Sequence, residues 1–225
     1  MGRTTVEFKV LEKPTGPDLF LDFRGVKIGR YYVNGEDALA GGQKLFGGHH
    51  VTLPTSLLKV GEVNQVQMLF LNKYRTDSEG LHSFTDKEDD SQYIYTQFEP
   101  ACAHYVFPCF DQPDLKATWS FSAMTNGDWT VISNEAEIQN AERAQSLKQA
   151  VDEAKSLFNA NEVVFNEAKA SIFNTSFKIS SYLYAFAAGA FGFYERQTEG
   201  MPLMRIYARK SLLGDVKHED MFTAT

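Results

Sequence analysis

The sequence contains little cysteine and no long apolar run. Its 225 residues include two cysteines, Cys102 and Cys109, which are too few for a disulfide framework or a four-cysteine zinc site. So few thiols suit a reducing compartment, and we expect a cytoplasmic protein. No apolar stretch reaches the roughly 18 residues that a membrane-spanning helix needs, so we expect no membrane span.

Basic residues are fewer than acidic ones. The chain has 22 Lys and Arg against 29 Asp and Glu, which gives a formal net charge of −7. Nucleic acids and anionic membranes attract basic surfaces, and basic tracts are missing from this sequence. We therefore expect no nucleic-acid partner.

Complete catalytic motifs are missing as well. A zinc peptidase helix uses HExxH because histidines at i and i+4 share one face and bind one metal ion. The nearest approach is His218-Glu219, which lacks the second histidine and is interpreted as a surface pair. His49-His50 stands among glycines and is interpreted as loop residues, with a metal or pH role as the alternative. We therefore predict no catalytic and no metal-ligating residue in this chain.

Alternating apolar and polar residues dominate the first 135 positions. Residues 5–10, 19–23 and 66–70 each show the period of two that is typical of half-buried strands. Asn34-Gly35 follows an aromatic run and suits a two-residue hairpin turn. Many short strands with frequent turns predict an all-β protein, a curved antiparallel β-sandwich.

The period changes between residues 140 and 172. Apolar residues recur there at spacings of three and four among charged ones, which predicts an amphipathic helix along Ala141, Ala144, Leu147, Val151, Ala154 and Leu157. We interpret this stretch as a helical insertion packed on the sheet edge, with a partner-binding helix as the alternative. Strand-like sequence resumes at residues 182–188 and 204–209.

One central strand has an unusual composition. In residues 93–99, alternation places Tyr93, Tyr95, Gln97 and Glu99 on one face, and Pro100 ends the ladder. Such a face could stack against a side chain and hold a cation, or it could be a solvated edge. The pattern alone leaves both interpretations open.

Several longer motifs carry a resemblance. They are Gly80-Leu81-His82-Ser83-Phe84-Thr85-Asp86, Tyr95-Thr96-Gln97-Phe98-Glu99-Pro100, Phe107-Pro108-Cys109-Phe110-Asp111-Gln112-Pro113-Asp114-Leu115-Lys116-Ala117, Trp129-Thr130-Val131-Ile132-Ser133-Asn134 and Ile179-Ser180-Ser181-Tyr182-Leu183-Tyr184-Ala185-Phe186. In order and spacing the chain resembles the zinc aminopeptidases of the aminopeptidase N (alanyl aminopeptidase) family. The similarity extends over residues 4–209, apart from the helical stretch.

The resemblance implies a domain organisation. In that family a saddle-shaped N-terminal β domain precedes a thermolysin-like catalytic domain, which holds the GAMEN motif and the HExxH zinc helix. This chain looks like the first domain alone, with residues 1–219 as the β domain and residues 220–225 as the start of a missing catalytic domain. Both ends look truncated. Zinc would belong to the full-length enzyme, with its ligands outside this chain, and the chain alone would be inactive.

The resemblance also implies two substrate-binding residues. Glu99 matches the position whose carboxylate helps to hold the free α-amino group of a peptide, and Gln97 matches the position that lines the pocket for the first side chain. The implied partners are peptide substrates, bound through the free amine, and the missing catalytic domain. Two alternatives remain: a non-catalytic scaffold or interaction module of the same fold, and a stand-alone carbohydrate- or peptide-binding sandwich that uses Tyr93 and Tyr95.

Other motif residues have structural roles in this interpretation. Phe107, Phe110 and Trp119 are expected in the core, Pro108 and Pro113 in rigid turns, Cys109 as a buried thiol, and Asp111 and Asp114 as turn or helix caps. His104 departs from the family pattern, because many relatives have Arg there. We therefore expect a weaker local ion pair at this position.

Overall fold

The computed structural model describes residues 1–15, 19–42, 44–160 and 163–224. Strands dominate, and all paired strands are antiparallel, which confirms the all-β prediction. In chain order the elements are β1 Gly2–Lys9, β2 Phe20–Asp22, β3 Lys27–Val33, β4 Glu36–Asp37, β5 His50–Thr52, β6 Val63–Leu71, β7 Gly80–Thr85, β8 Gln92–Gln97, β9 Ser122–Thr125, β10 Thr130–Ser133, α1 Ala141–Leu157, β11 Lys169–Ile172, β12 Phe186–Gly189, β13 Phe191–Arg196, β14 Met204–Arg209 and α2 His218–Ala224.

The N-terminal sheet has the strand order β1-β6-β3-β4. Burial alternates along β1, so Val6 and Phe8 face inward while the residues between them face solvent, as the sequence predicts. Asn34 and Gly35 join β3 to β4 with φ angles of +52° and +86°. Two positive φ angles are the signature of a type I′ turn, and this prediction is confirmed.

The second four-stranded sheet has the order β10-β12-β8-β7. Its inner face packs Ile94, Val131 and Ala188 around Phe173. Its other face carries Tyr95 and the residues paired with it, His82 of β7 and Ala187 of β12. This second face carries the candidate site.

The predicted helical insertion at residues 140–172 begins with helix α1, which ends at Leu157, two residues before the predicted end near Asn159. The Asn140 side chain accepts a hydrogen bond from the Arg143 N–H at 2.9 Å, and α1 then runs to Leu157. The remainder of the predicted stretch contains β11, which pairs with β9. Of the predicted apolar face, Ala154 is buried but Ala141 is exposed, and the prediction omitted the buried Ala150.

Helix α1 packs against β9 and β11 at its start and against β3 of the N-terminal sheet at its end. The Arg143 guanidinium donates to the Phe173 and Phe121 carbonyls at 2.6 and 2.8 Å, at the ends of β11 and β9. At the other end of α1, Leu157 covers Gly29 of β3 so closely that an added Cβ would lie 2.3 Å from Leu157 Cδ2. The structure therefore supports the packed insertion rather than a helix free to bind a partner.

The hairpin of β13 and β14 covers one end of the second sheet. The Tyr93 hydroxyl donates to the Ala190 carbonyl at 2.9 Å, and Phe191 packs edge-on against the Tyr93 ring. The buried Asp86 carboxylate accepts hydrogen bonds from Arg209 and Ser211. Residues 204–209 form the predicted strand, whereas residues 182–188 do so only from Phe186, after a 3₁₀ turn at Ser181–Leu183.

Helix α2 lies across the predicted domain boundary between residues 219 and 220. His218 stacks on Tyr194 with ring centroids 3.7 Å apart, and Phe222 is buried. Thr225, the last residue of the predicted 220–225 segment, lies outside the described residues. Over the residues that the structure describes, no helix combines the length and apolarity that crossing a bilayer requires.

Candidate functional site

The two predicted substrate-binding residues lie at the end of β8. Gln97 is the last residue of the strand, Glu99 follows in the turn, and both side chains are exposed. Phe98 between them is 1% exposed and packs edge-on against Phe107. The Phe98 carbonyl accepts a hydrogen bond from the Cys102 N–H at 2.8 Å. A buried anchor thus fixes the backbone from which both polar side chains project.

The Gln97 side chain bends toward Glu99. Its Oε1 atom accepts a hydrogen bond from the Glu99 backbone N–H at 3.1 Å. The amide oxygen is therefore engaged within the turn, and the amide nitrogen remains to donate. The turn consequently presents an N–H donor and a carboxylate acceptor side by side.

Glycine faces Gln97 across the sheet. Gly80 pairs with Gln97 and has a φ of +64°, and a Cβ at this position would lie 2.7 Å from Tyr105 Cβ. Tyr105 is in turn covered by the Arg75 guanidinium, 4.2 Å from the ring centroid. Only glycine fits here, because both the backbone angle and the contact with Tyr105 exclude a side chain.

The structure corrects the predicted role of Tyr93. Tyr93 and Tyr95 do share the face, but Tyr93 is 0% exposed because Phe84 and Phe191 pack on its ring. Burial raises the pKa of the Tyr93 hydroxyl. Tyr93 therefore cannot take part in a ligand-stacking face, and the alternative function that used Tyr93 and Tyr95 together is wrong in this respect.

Asp111 caps a 3₁₀ turn, because its Oδ2 accepts a hydrogen bond from the His104 backbone N–H at 3.0 Å, and it also has a role beyond the predicted cap. Its carboxylate is buried, and its Oδ2 lies 2.6 Å from His104 Nδ1 while its Oδ1 accepts from the Ser181 hydroxyl at 2.7 Å. Burial by itself would raise the pKa of Asp111, but the hydrogen bonds from His104 and Ser181 outweigh it and hold the pKa below its usual value. His104 can make this contact because an imidazole N–H can donate to a carboxylate.

The predictions for the three motif aromatic residues and for Cys109 are confirmed. Phe107, Phe110 and Trp119 pack partly buried against the two main hydrophobic clusters, and Cys109 is a buried thiol. Burial raises the pKa of Cys109 well above its ordinary value, so the thiol stays protonated. Pro108 is fully buried.

Histidines elsewhere do not form a metal centre. His49 lies in a loop as predicted, but His50 begins β5, and its ring packs 5.3 Å from Phe20. The His218–Glu219 pair is observed at the start of α2, with His218 Nε2 3.4 Å from Glu219 Oε1. Within the described parts of the chain, no three His, Cys, Asp or Glu side chains are placed to hold a metal ion.

A groove of about 660 Å³ lies away from Gln97 and Glu99. Helix α1 and residues 163–170 form it, with Lys148, Val151 and Phe165 among its lining residues. The candidate site is instead an open surface at the end of β8. Such a surface contacts a ligand on one side, and a second body packed against it would enclose the ligand.

Comparison with known proteins identifies the family. Residues 2–183 match the family model of the Peptidase M1 N-terminal domain. The chain is 31% identical to aminopeptidase N of Streptomyces lividans over 99% of its length, 32% identical to the puromycin-sensitive aminopeptidase of Caenorhabditis elegans over 66%, and 29% identical to human aminopeptidase Q over 70%. These matches cover 22%, 13% and 14% of the three relatives. The chain thus belongs to the M1 peptidase N-terminal domain family and corresponds to the N-terminal domain of an M1 aminopeptidase.

Proposed function

We propose that this domain binds the free amino end of a peptide for an aminopeptidase that releases N-terminal residues. Glu99 accepts hydrogen bonds from the α-ammonium group, and Gln97 lines the pocket of the first side chain. The observation that supports this most is the exposed donor and carboxylate pair, which the buried Phe98 holds at the end of β8.

The carboxylate explains how an exopeptidase distinguishes a chain end from a chain interior. A hydrogen bond to a charged group contributes roughly 1.5 to 3 kcal/mol, and along the peptide backbone only the N-terminal end carries an ammonium group. An internal amide offers one N–H and no charge. Glu99 therefore discriminates by charge. A non-catalytic scaffold or interaction module would not need a carboxylate that binds an ammonium group.

The metal and the reaction belong to the rest of the enzyme in this proposal. The catalytic domain begins near residue 220, binds zinc with its own residues and closes over Gln97 and Glu99. Zinc bound there would supply the activation of a water molecule for cleavage of the peptide bond. The small share of each relative that the chain covers supports such a division.

We also propose that the enzyme works in the cytoplasm. Cys102 and Cys109 are both free and buried, and they lie seven positions apart in the chain without forming a disulfide. Free thiols persist in reducing compartments. The peptide substrates would then be intracellular.

Titration with a matched pair of amides tests the amine site. The 225-residue chain is titrated with alaninamide and with N-acetylalaninamide, while backbone amide signals are followed by nuclear magnetic resonance. We expect alaninamide to shift the signals of Gln97 and Glu99, and the acetylated form to leave them in place. Equal responses to both compounds would contradict an amine site.

Substitution of Glu99 provides the matched variant. Glu99→Gln keeps the size of the side chain and removes its charge, so we expect it to weaken alaninamide binding about tenfold or more. Glu199→Gln removes an exposed carboxylate in the hairpin turn and should bind as the wild type does. If both variants lose affinity equally, general charge attraction rather than Glu99 accounts for binding.

A further inference from the structure

The face that carries Gln97 continues into a pair of rings, Tyr95 and His82. They are directly opposite each other in the pairing of β8 with β7, and their ring centroids lie 5.0 Å apart. Both side chains are half-buried, whereas Gln97 is exposed. Residues two apart on a strand are separated by roughly 7 Å, so the rings begin about one side-chain length beyond Gln97.

Tyr93 closes this face at its far end. The rings of Phe84 and Phe191 lie 5.4 and 4.9 Å from Tyr93 and bury it completely. The hairpin therefore covers the strand up to Tyr93. The open part of the face starts at Glu99, passes Gln97 and ends at the Tyr95 and His82 rings.

His82 also has a defined hydrogen-bonding state. Its Nδ1 atom accepts a hydrogen bond from the Ser78 backbone N–H at 3.1 Å. A neutral imidazole whose Nδ1 accepts carries its proton on Nε2. His82 thus offers an aromatic ring and one N–H donor.

We propose that Tyr95 and His82 form the far end of the pocket for the first side chain, and that they favour peptides that begin with an aromatic residue. The inference rests on the proposed function, because it takes Glu99 as the ammonium site and Gln97 as the near wall. An aromatic side chain extends past Gln97 to the two rings, while an alanine methyl group does not. Packing between aromatic rings strengthens binding by about two- to tenfold.

Titration of the chain with phenylalaninamide and alaninamide tests this assignment. We expect phenylalaninamide to bind about two- to tenfold more tightly and to shift the ring resonances of Tyr95 and His82. Alaninamide should shift Gln97 and Glu99 and leave both rings unchanged. Equal affinities, or rings that do not respond to phenylalaninamide, would overturn the proposal.

A pair of histidine variants separates binding from structural support. His82→Ala should remove the preference for phenylalaninamide and leave the affinity for alaninamide unchanged. His50→Ala, at an exposed histidine on β5, should keep the preference. An equal loss of affinity for both amides would give His82 a purely structural role. If His82→Ala does not fold, Tyr95→Leu takes its place and should likewise remove the preference for phenylalaninamide. The shifts of the Tyr95 and His82 ring resonances in the wild type are then the second readout.

The N-acetylated amides distinguish the two proposals. If neither free amine binds better than its acetylated form, the amine site fails and this inference fails with it. If both free amines bind better than their acetylated forms but equally well, the amine site stands and only the role of Tyr95 and His82 is overturned.

Discussion

Single residues in this chain owe their roles to neighbours that are distant in the sequence. Asp111 resembles a turn cap in its own segment, where prolines and a second aspartate surround it. In the structure its partners are His104, seven positions earlier, and Ser181, 70 positions later. Local spacing therefore could not show that this carboxylate is buried.

We expect Asp111→Asn to lower the free energy of unfolding by about 1 to 3 kcal/mol at neutral pH. An amide has one acceptor oxygen in place of two, so it cannot satisfy both the Ser181 hydroxyl and the two His104 donors. Urea denaturation measures the change. Asp114→Asn, at an exposed aspartate in the same segment, is the control and should unfold like the wild type.

The stability difference between the wild type and Asp111→Asn should decrease as the pH falls. Because the folded-state pKa of Asp111 is lowered, its contribution to stability is fully present above the unfolded-state value of roughly 3.9 and is lost as the pH falls through the folded-state value. The difference between wild type and Asp111→Asn should therefore shrink in denaturation series from pH 5 down to pH 3. If this stability difference stays constant over the pH series, the charge of the Asp111 carboxylate does not contribute to it.

At the scale of elements, the periodicity of apolar residues predicts the type of a secondary-structure element better than its first and last residues. The start of α1 follows from its Asn cap and its apolar repeat, both of which are local. In the stretch after it, β11 has only four residues, and it forms there because β9 offers a partner strand. The pairing of β11 is thus a tertiary effect that a local pattern does not contain.

Arg143 should account for much of the attachment of α1. Arg143→Met removes the hydrogen bonds to the Phe173 and Phe121 carbonyls and to the Ser122 hydroxyl, and we expect a loss of about 1.5 to 3 kcal/mol in the free energy of unfolding. Lys148→Met removes a positive charge from an exposed position of the same helix and is the control. If both variants cost the same, helix charge rather than these contacts explains the effect.

At the scale of the whole molecule, the chain buries several apolar clusters of its own and presents the candidate site on its surface. The N-terminal sheet buries one apolar cluster, and Phe107 packs both against it and against the cluster around Phe98 and Tyr184. The candidate residues Gln97 and Glu99, by contrast, lie on an open surface. The apolar clusters are thus built from this chain's own residues, whereas the proposed chemistry needs the domain that would cover the surface.

We therefore expect the purified chain to contain no stoichiometric zinc and to leave aminoacyl-anilide substrates intact. Elemental analysis and an anilide-release assay check the two expectations separately. Addition of zinc to the chain should restore no activity, because the proposed ligands lie in the catalytic domain. Stoichiometric zinc together with anilide cleavage would overturn the proposed division of the enzyme.

The sequence alone determined the strand-rich class, the Asn34-Gly35 turn and the helix after residue 140, because alternation, turn chemistry and helical periodicity act between near neighbours. The pair Gln97 and Glu99 became candidates through the family resemblance. Only the tertiary structure decided that Tyr93 is covered, that Asp111 joins three segments and that β11 is a strand. Each of these depends on a surface brought in from a distant part of the chain, and burial is decided by what packs on a side chain rather than by the residues beside it.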